Sequence, residues 1–97
     1  MIEVYFYGDK QDDGTRELLE IYKFYKARKF THRHYKSVLL NLDFLRGFYT
    51  EGKYVKAMVF NGDKYAFCIE SFSLQFGDET IVYYSINGDI RRHYQVR

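Results

Sequence analysis

Three histidines and one cysteine are the soft metal-ligating side chains of this 97-residue sequence, and their spacing limits their chemistry. His32 and His34 form an H-x-H pair, and residues two apart on a helix point about 200° apart, too far round to grip one ion. No metal and no cofactor are expected. Cys68 is alone, so it can make neither an internal disulfide nor a cysteine-rich zinc site. Its place within an apolar strand pattern makes it a small hydrophobe rather than a nucleophile. Asp12 and Asp13 fall in turn chemistry between Gly8 and Gly14, where acids suit the start of a helix. The chain contains no phosphate-binding loop, dinucleotide fingerprint, HExxH, EF-hand loop or nucleophile elbow, so an enzyme is not expected.

The remaining chemistry is electrostatic. The net charge is +2, but its distribution is uneven. Residues 1–20 carry six acids against Lys10 and Arg16, and residues 37–97 balance. The excess sits in residues 21–36, where Lys23, Lys26, Arg28, Lys29, Arg33 and Lys36 occur without an acid. These six could neutralise phosphates, with Tyr22, Tyr25 and Tyr35 stacking or packing nearby. They form the candidate nucleic-acid-binding segment.

Hydrophobic periodicity supplies the elements that would position these groups. Met1 to Tyr7 alternates Ile2, Val4 and Phe6 with Glu3, Tyr5 and Tyr7, which predicts a strand. Leu18, Ile21, Tyr22 and Tyr25 recur at helical spacing over residues 15–28, with Asp13 or Thr15 as cap. From Tyr35 to Tyr49 a second helix carries Val38, Leu42 and Leu45 on one side and Leu40, Phe44 and Phe48 on the other. Two apolar faces require two covers. Beyond it, turns at Asn61-Gly62, Gly77-Asp78 and Asn87-Gly88 separate strands at about 53–60, 64–76, 79–86 and 89–96. The expectation is one α+β domain over residues 1–97. Its form is a two-layer sandwich, strand–helix–helix and then a four-stranded antiparallel meander, giving five strands and two helices.

Two-residue loops at the Asn-Gly turns would fix which residues share a face. Val55, Ala57, Val59, Ala66, Cys68, Phe72, Leu74, Phe76, Ile81, Tyr83, Ile90, Tyr94 and Val96 then meet the helices. The outer face collects Tyr54, Met58, Phe60, Tyr65, Phe67 and Ile69 at one end, with Ser71, Ser73, Gln75, Thr80 and Tyr84 at the other. Six large apolar groups on a solvent face mark an association surface. Glu70 and Arg92 point inward in this register and would pair diagonally.

The element order, the length and the terminal Arg91-Arg92-His93-Tyr94 resemble the RelE/ParE group of small toxins, some of which cleave ribosome-bound messenger RNA. That resemblance implies a ribonuclease working through these four residues. The size, the eleven tyrosines and the lack of a known motif look like accessory proteins of viruses and mobile elements, without naming a family. The sequence therefore ranks a non-enzymatic interaction protein first, forming a homodimer and contacting an unidentified protein. Nonspecific nucleic-acid binding comes second and the ribonuclease third. No signal-peptide core or spanning apolar segment occurs, so an intracellular, soluble, cytoplasmic protein without membrane contact is expected, in the host cytoplasm if viral.

Overall fold

Alternation dominates the molecule. The computed structural model describes residues 1–25, 31, 33–34 and 43–96, apart from the side chains of Phe44 and of residues 89–96. Its strands are β1 (Ile2–Lys10), β2 (Arg16–Phe24), β3 (Val55–Asn61), β4 (Lys64–Phe76), β5 (Glu79–Ile86) and β6 (Asp89–Val96), with helix α1 (Asp43–Thr50) before β3. They form one six-stranded sheet in the order β2-β1-β3-β4-β5-β6, antiparallel throughout.

This corrects the expected two helices on five strands. Residues 16–24 are an edge strand, not helix one. Leu18, Ile21 and Tyr22 fit a helical face, but Ile21, Tyr22 and Phe24 are also strand formers, and pairing with β1 decides between the two. An irregularity in the pairing opposite Phe6 and Tyr7 leaves Leu19 without a partner, which breaks the period-two pattern a strand normally shows. Leu19 packs beside Gly8, its Cδ2 3.5 Å from where a Cβ on that glycine would stand. The helix expected from Tyr35 is described only over its last part, Asp43–Thr50; Tyr35 to Leu42 lie outside the described residues. With β2 a strand, the element order behind the toxin resemblance is also lost.

The hairpins follow the turn chemistry closely. Asn87 and Gly88 both have positive φ, 50° and 92°, the signature of a type I′ turn, and Asn tolerates the left-handed region. Asn87 also clamps β4: its Oδ1 accepts from the Cys68 amide, and its own amide donates to the Cys68 carbonyl, both at 3.0 Å. At the β1–β2 turn the Asp13 carboxylate accepts the Thr15 amide and hydroxyl at 3.0 and 2.7 Å. Asp13 thus closes a hairpin loop rather than capping a helix, and those bonds lower its pKa.

Register is where the faces change places. Asn61 pairs with Lys64 and Phe60 with Tyr65, but Val59 pairs with Phe67, so Ala66 is an extra, unpaired residue. Such a bulge sends every later side chain of β4 to the opposite face. Phe67, Ile69, Ser71 and Ser73 therefore share the core face with Val55, Ala57 and Val59. Phe72, Leu74 and Phe76, expected inside, stand on the outer face. The inversion carries into β5, where Val82 and Tyr84 are buried and Tyr83 and Ile81 lie opposite Phe72 and Leu74. A second irregularity, between Tyr84 and Ile86, sets Ser85 against two residues of β6 and restores the parity there. Tyr94 and Val96 consequently pair with the core-face positions Val82 and Thr80. Arg92 pairs with Tyr84, and Glu70 lies opposite Ser85 and Lys56 on the outer face. The Arg92 side chain, and with it the expected Glu70–Arg92 pair, lies outside the described side chains.

Ile2, Val4, Phe6, Val55, Ala57, Val59, Ile69, Val82 and Tyr84 make the core with Leu45 and Tyr49 of α1. The helix lies over β4 and β5, where the inner positions are Ser71, Ser73 and Thr80, all buried. These hydroxyls serve the end of the helix. The Tyr49 hydroxyl and Ser71 Oγ are 2.7 Å apart. The Tyr49 carbonyl accepts from Ser73 Oγ and, at 3.4 Å, from Gln75 Nε2. Gln75 also donates to the Thr50 carbonyl at 3.2 Å and accepts from Thr80 at 2.8 Å. Gly52, at φ 72°, completes the stop: its amide reaches the Tyr49 carbonyl and the Lys53 amide reaches Phe48, the two bonds of a Schellman motif. Polar residues on β4 are thus the docking plate of α1.

Candidate functional site

The outer sheet face carries the exposed chemistry of the described residues. Cross-strand partners place it in rows. One end holds Lys23, Glu3, Phe60 and Tyr65, followed by Ile21, Tyr5, Met58 and Cys68. The middle holds Tyr7, Lys56, Glu70 and Ser85. The far end holds Phe72 with Tyr83, Leu74 with Ile81, and Phe76 with Glu79.

The two apolar ends differ in how far they cover themselves. At the first, Phe60 sits between Tyr5 and Tyr65 in edge-to-face contacts with centroids 5.4 and 5.8 Å apart. These contacts leave Tyr5, Met58 and Phe60 half-buried, with Tyr65 exposed. The far end is open. Phe72, Leu74 and Phe76 are 39%, 47% and 51% exposed, and the Phe72 ring stacks on Tyr83 at 5.7 Å with planes 20° apart. Every second residue of β4 there is apolar and faces solvent, while its neighbours Ser71 and Ser73 are buried.

Of the six residues proposed from sequence as an interface, Tyr54, Met58, Phe60 and Tyr65 lie on or beside the outer face. Phe67 and Ile69 face the core, and Ile69 is fully buried. The residues sequence reasoning missed are Phe72, Leu74 and Phe76. Their alternation was legible; the side was not, because Ala66 carries no bulge signature.

Tyr54 lies in a polar corner beside the middle row. An open cleft of about 280 Å³ is lined by Asp9, Lys10, Arg16, Tyr54 and Glu70. A second cleft, of about 210 Å³, is lined by Gly8, Asp9, Gln11, Glu17, Leu19, Phe48, Lys53 and Tyr54. The Arg16 guanidinium lies 4.8 Å from the Tyr54 ring centre and donates to the Gly8 carbonyl at 3.0 Å. The Tyr54 hydroxyl is buried without a hydrogen-bond partner within bonding distance. Burial first, and then the facing Glu70 carboxylate, hold it well above the ordinary phenol value. Burial likewise pushes the Cys68 thiol up, outweighing Lys56, so Cys68 stays protonated and is no thiolate nucleophile at neutral pH.

The other sequence candidates are scattered. Lys23 pairs across from Glu3, and Arg33 is exposed; Lys26, Arg28, Lys29 and Lys36 lie outside the described residues. Arg92 and His93 pair with Tyr84 and Tyr83. The side chains of Arg91, Arg92, His93 and Tyr94 lie outside the described ones. Among the described residues no three His, Cys, Asp or Glu side chains converge to hold a metal, and no helix is long and apolar enough to cross a membrane. No family model, curated protein or solved structure matches the chain.

Proposed function

We propose that this is a non-enzymatic interaction protein that works by protein contact through the β4–β5 end of its outer sheet face. One observation carries the reading: Phe72, Leu74 and Phe76 are exposed in a continuous row, backed by Tyr83 and Ile81. A face of this kind on an antiparallel sheet is ordinarily polar. Burying a Phe or Leu side chain stabilises by about 1.5–3 kcal/mol, and leaving three half-exposed forgoes that gain unless a second surface takes it up. Protein is favoured over nucleic acid because the described charge opposite the row is the acid Glu79 across from Phe76, and Lys56 stands beside Glu70, so no basic cluster borders the row among the described side chains to hold phosphates.

A photo-activated cross-linker placed at Leu74 in the intact chain tests this in the cells that express it. Covalent protein adducts are expected at Leu74 and not at Thr15 in the β1–β2 turn. They should vanish when Phe72 and Phe76 are both changed to Ser. Equal labelling at both positions, or none at Leu74, would defeat the reading.

A further inference from the structure

We propose that Asn61 is a site of spontaneous covalent modification, deamidation to aspartate and isoaspartate, and that the fold withholds the same reaction from Asn87. The apolar row on β4 plays no part in it.

Asn61-Gly62-Asp63 and Asn87-Gly88-Asp89 are the same tripeptide, and each stands at a hairpin turn with its asparagine and glycine exposed. Glycine after asparagine leaves the reaction least hindered, because no Cβ blocks the close approach of its backbone nitrogen. Hydroxide removes the glycine amide proton, and that nitrogen attacks the asparagine Cγ. The new N–C bond closes a succinimide ring as the Cγ–Nδ2 bond breaks, and ammonia leaves with a proton taken from water. Water then adds to one of the two ring carbonyls. The ring opens to aspartate or, with the main chain rerouted through the side chain, to isoaspartate. Only water is consumed.

The electrophile separates the two turns first. Asn87 Oδ1 accepts the Cys68 amide at 3.0 Å, while the Asn87 amide donates to the Cys68 carbonyl at 3.0 Å. These bonds fix the side chain against β4, so its Cγ cannot swing onto the Gly88 nitrogen while they hold. Access to that nitrogen gains nothing. Asn61 has no such anchor, since its side chain makes no hydrogen bond among the described residues.

At Asn61 the guard is on the nucleophile, and it is weaker. The Gly62 amide donates to the Met1 carbonyl at 2.9 Å, a single bond at the end of the β1–β3 ladder, to a residue that precedes β1 and is 45% exposed. Removing an amide proton needs the same local opening that hydrogen exchange reads, and opening costs least at the margins of a structure and most in its core strands. Cys68 belongs to β4, an interior strand with β3 on one side and β5 on the other. Two bonds to that strand must break before Asn87 reacts; one marginal bond releases Asn61.

The product would also be felt where it forms. Asn61 pairs with Ile2 and Lys64, so isoaspartate there adds a main-chain carbon at the position that starts the β3–β4 register.

Peptide mapping by mass spectrometry tests this on the purified chain held in mildly alkaline buffer, beside the same chain in urea. In the folded chain the Asn61 peptide should gain the mass of an amide-to-acid exchange at least about tenfold faster than the Asn87 peptide. In urea the two should convert at similar rates, because their tripeptides are identical. Equal rates in the folded chain, or Asn87 ahead of Asn61, would overturn the proposal. So would an Asn61 that stays intact in the folded chain while the unfolded chain converts, since the Met1 bond would then be a full guard. A preference for Asn61 that persists in urea would overturn it as well, by assigning the difference to the flanking residues instead of the fold.

Discussion

Ser73 and Tyr54 show how much a single polar group can decide. Ser73 is buried against the Tyr49 carbonyl, so Ser73→Val keeps the strand but removes one of the donors that hold the last turn of α1 over β4. Loss of a buried hydrogen bond with one partner left behind costs about 1–3 kcal/mol. At this chain length that lowers the thermal midpoint by about 4–8 °C per kcal/mol. A calorimetric scan should show the loss, with Gln75 keeping part of the cap. Tyr54 is the opposite case, because its hydroxyl is buried with no partner at full bonding distance and faces the Glu70 carboxylate. Tyr54→Phe retains the ring under Arg16 and removes a hydroxyl that lacks a well-made hydrogen bond, so stability should change by less than about 1 kcal/mol.

The same hydroxyl sets a pH response. Its folded-state pKa is raised above the ordinary value of 10.0, so above that pH the unfolded chain gives up a proton that the folded chain retains. Stability is therefore complete below pH 10 and falls as pH rises through the folded value. Tyr5, Tyr22 and Tyr65 are shifted the same way. Denaturant melts at a series of pH values from 9 upward should show the decline, and Tyr54→Phe should make it shallower. A slope unchanged by that substitution would remove Tyr54 as its source.

At the scale of elements, the β-bulge at Ala66 organises the sheet. The four strands after α1 and the turns at Gly77 and Asn87-Gly88 were legible in the sequence because turn residues announce positive φ and alternation announces strands. The bulge was not, since an alanine between Tyr65 and Phe67 looks like any strand residue. One unannounced residue inverted the assignment of Phe67 through Tyr84, and the irregularity in the β5–β6 pairing inverted it back. Even the serines misled: Ser71 and Ser73 look like a solvent face, whereas the buried end of α1 needs their hydroxyls. β2 was misread for a related reason, because unpaired Leu19 interrupts its alternation. Deleting Ala66 should therefore do more damage than any substitution there. It would turn Ile69 outward and Glu70 inward, exposing a core residue and burying an unpaired charge, each worth several kcal/mol. Against a total stability of about 5–15 kcal/mol, the deletion variant should lose its cooperative melt. Ala66→Gly should keep it.

At the scale of the molecule, the described residues form one sheet with helix α1 on one side and an apolar row on the other. Only the first face completes a core within the described residues. If two such sheets close on each other, folding and association become one equilibrium, and stability depends on protein concentration. Each tenfold increase then adds about 1.4 kcal/mol to the dimer. Spread over the unfolding entropy of two chains of this length, at about 2.1 cal/mol/K per residue, that raises the midpoint by roughly 3–4 °C. Thermal scans at two concentrations a hundredfold apart would then separate by roughly 6–8 °C for the wild type. Leu74→Glu would melt at one temperature throughout, below the wild type, because a monomer has no concentration term. Coincident wild-type scans would mean that the row on β4 stays open in the isolated protein, and the cover would have to come from a different chain.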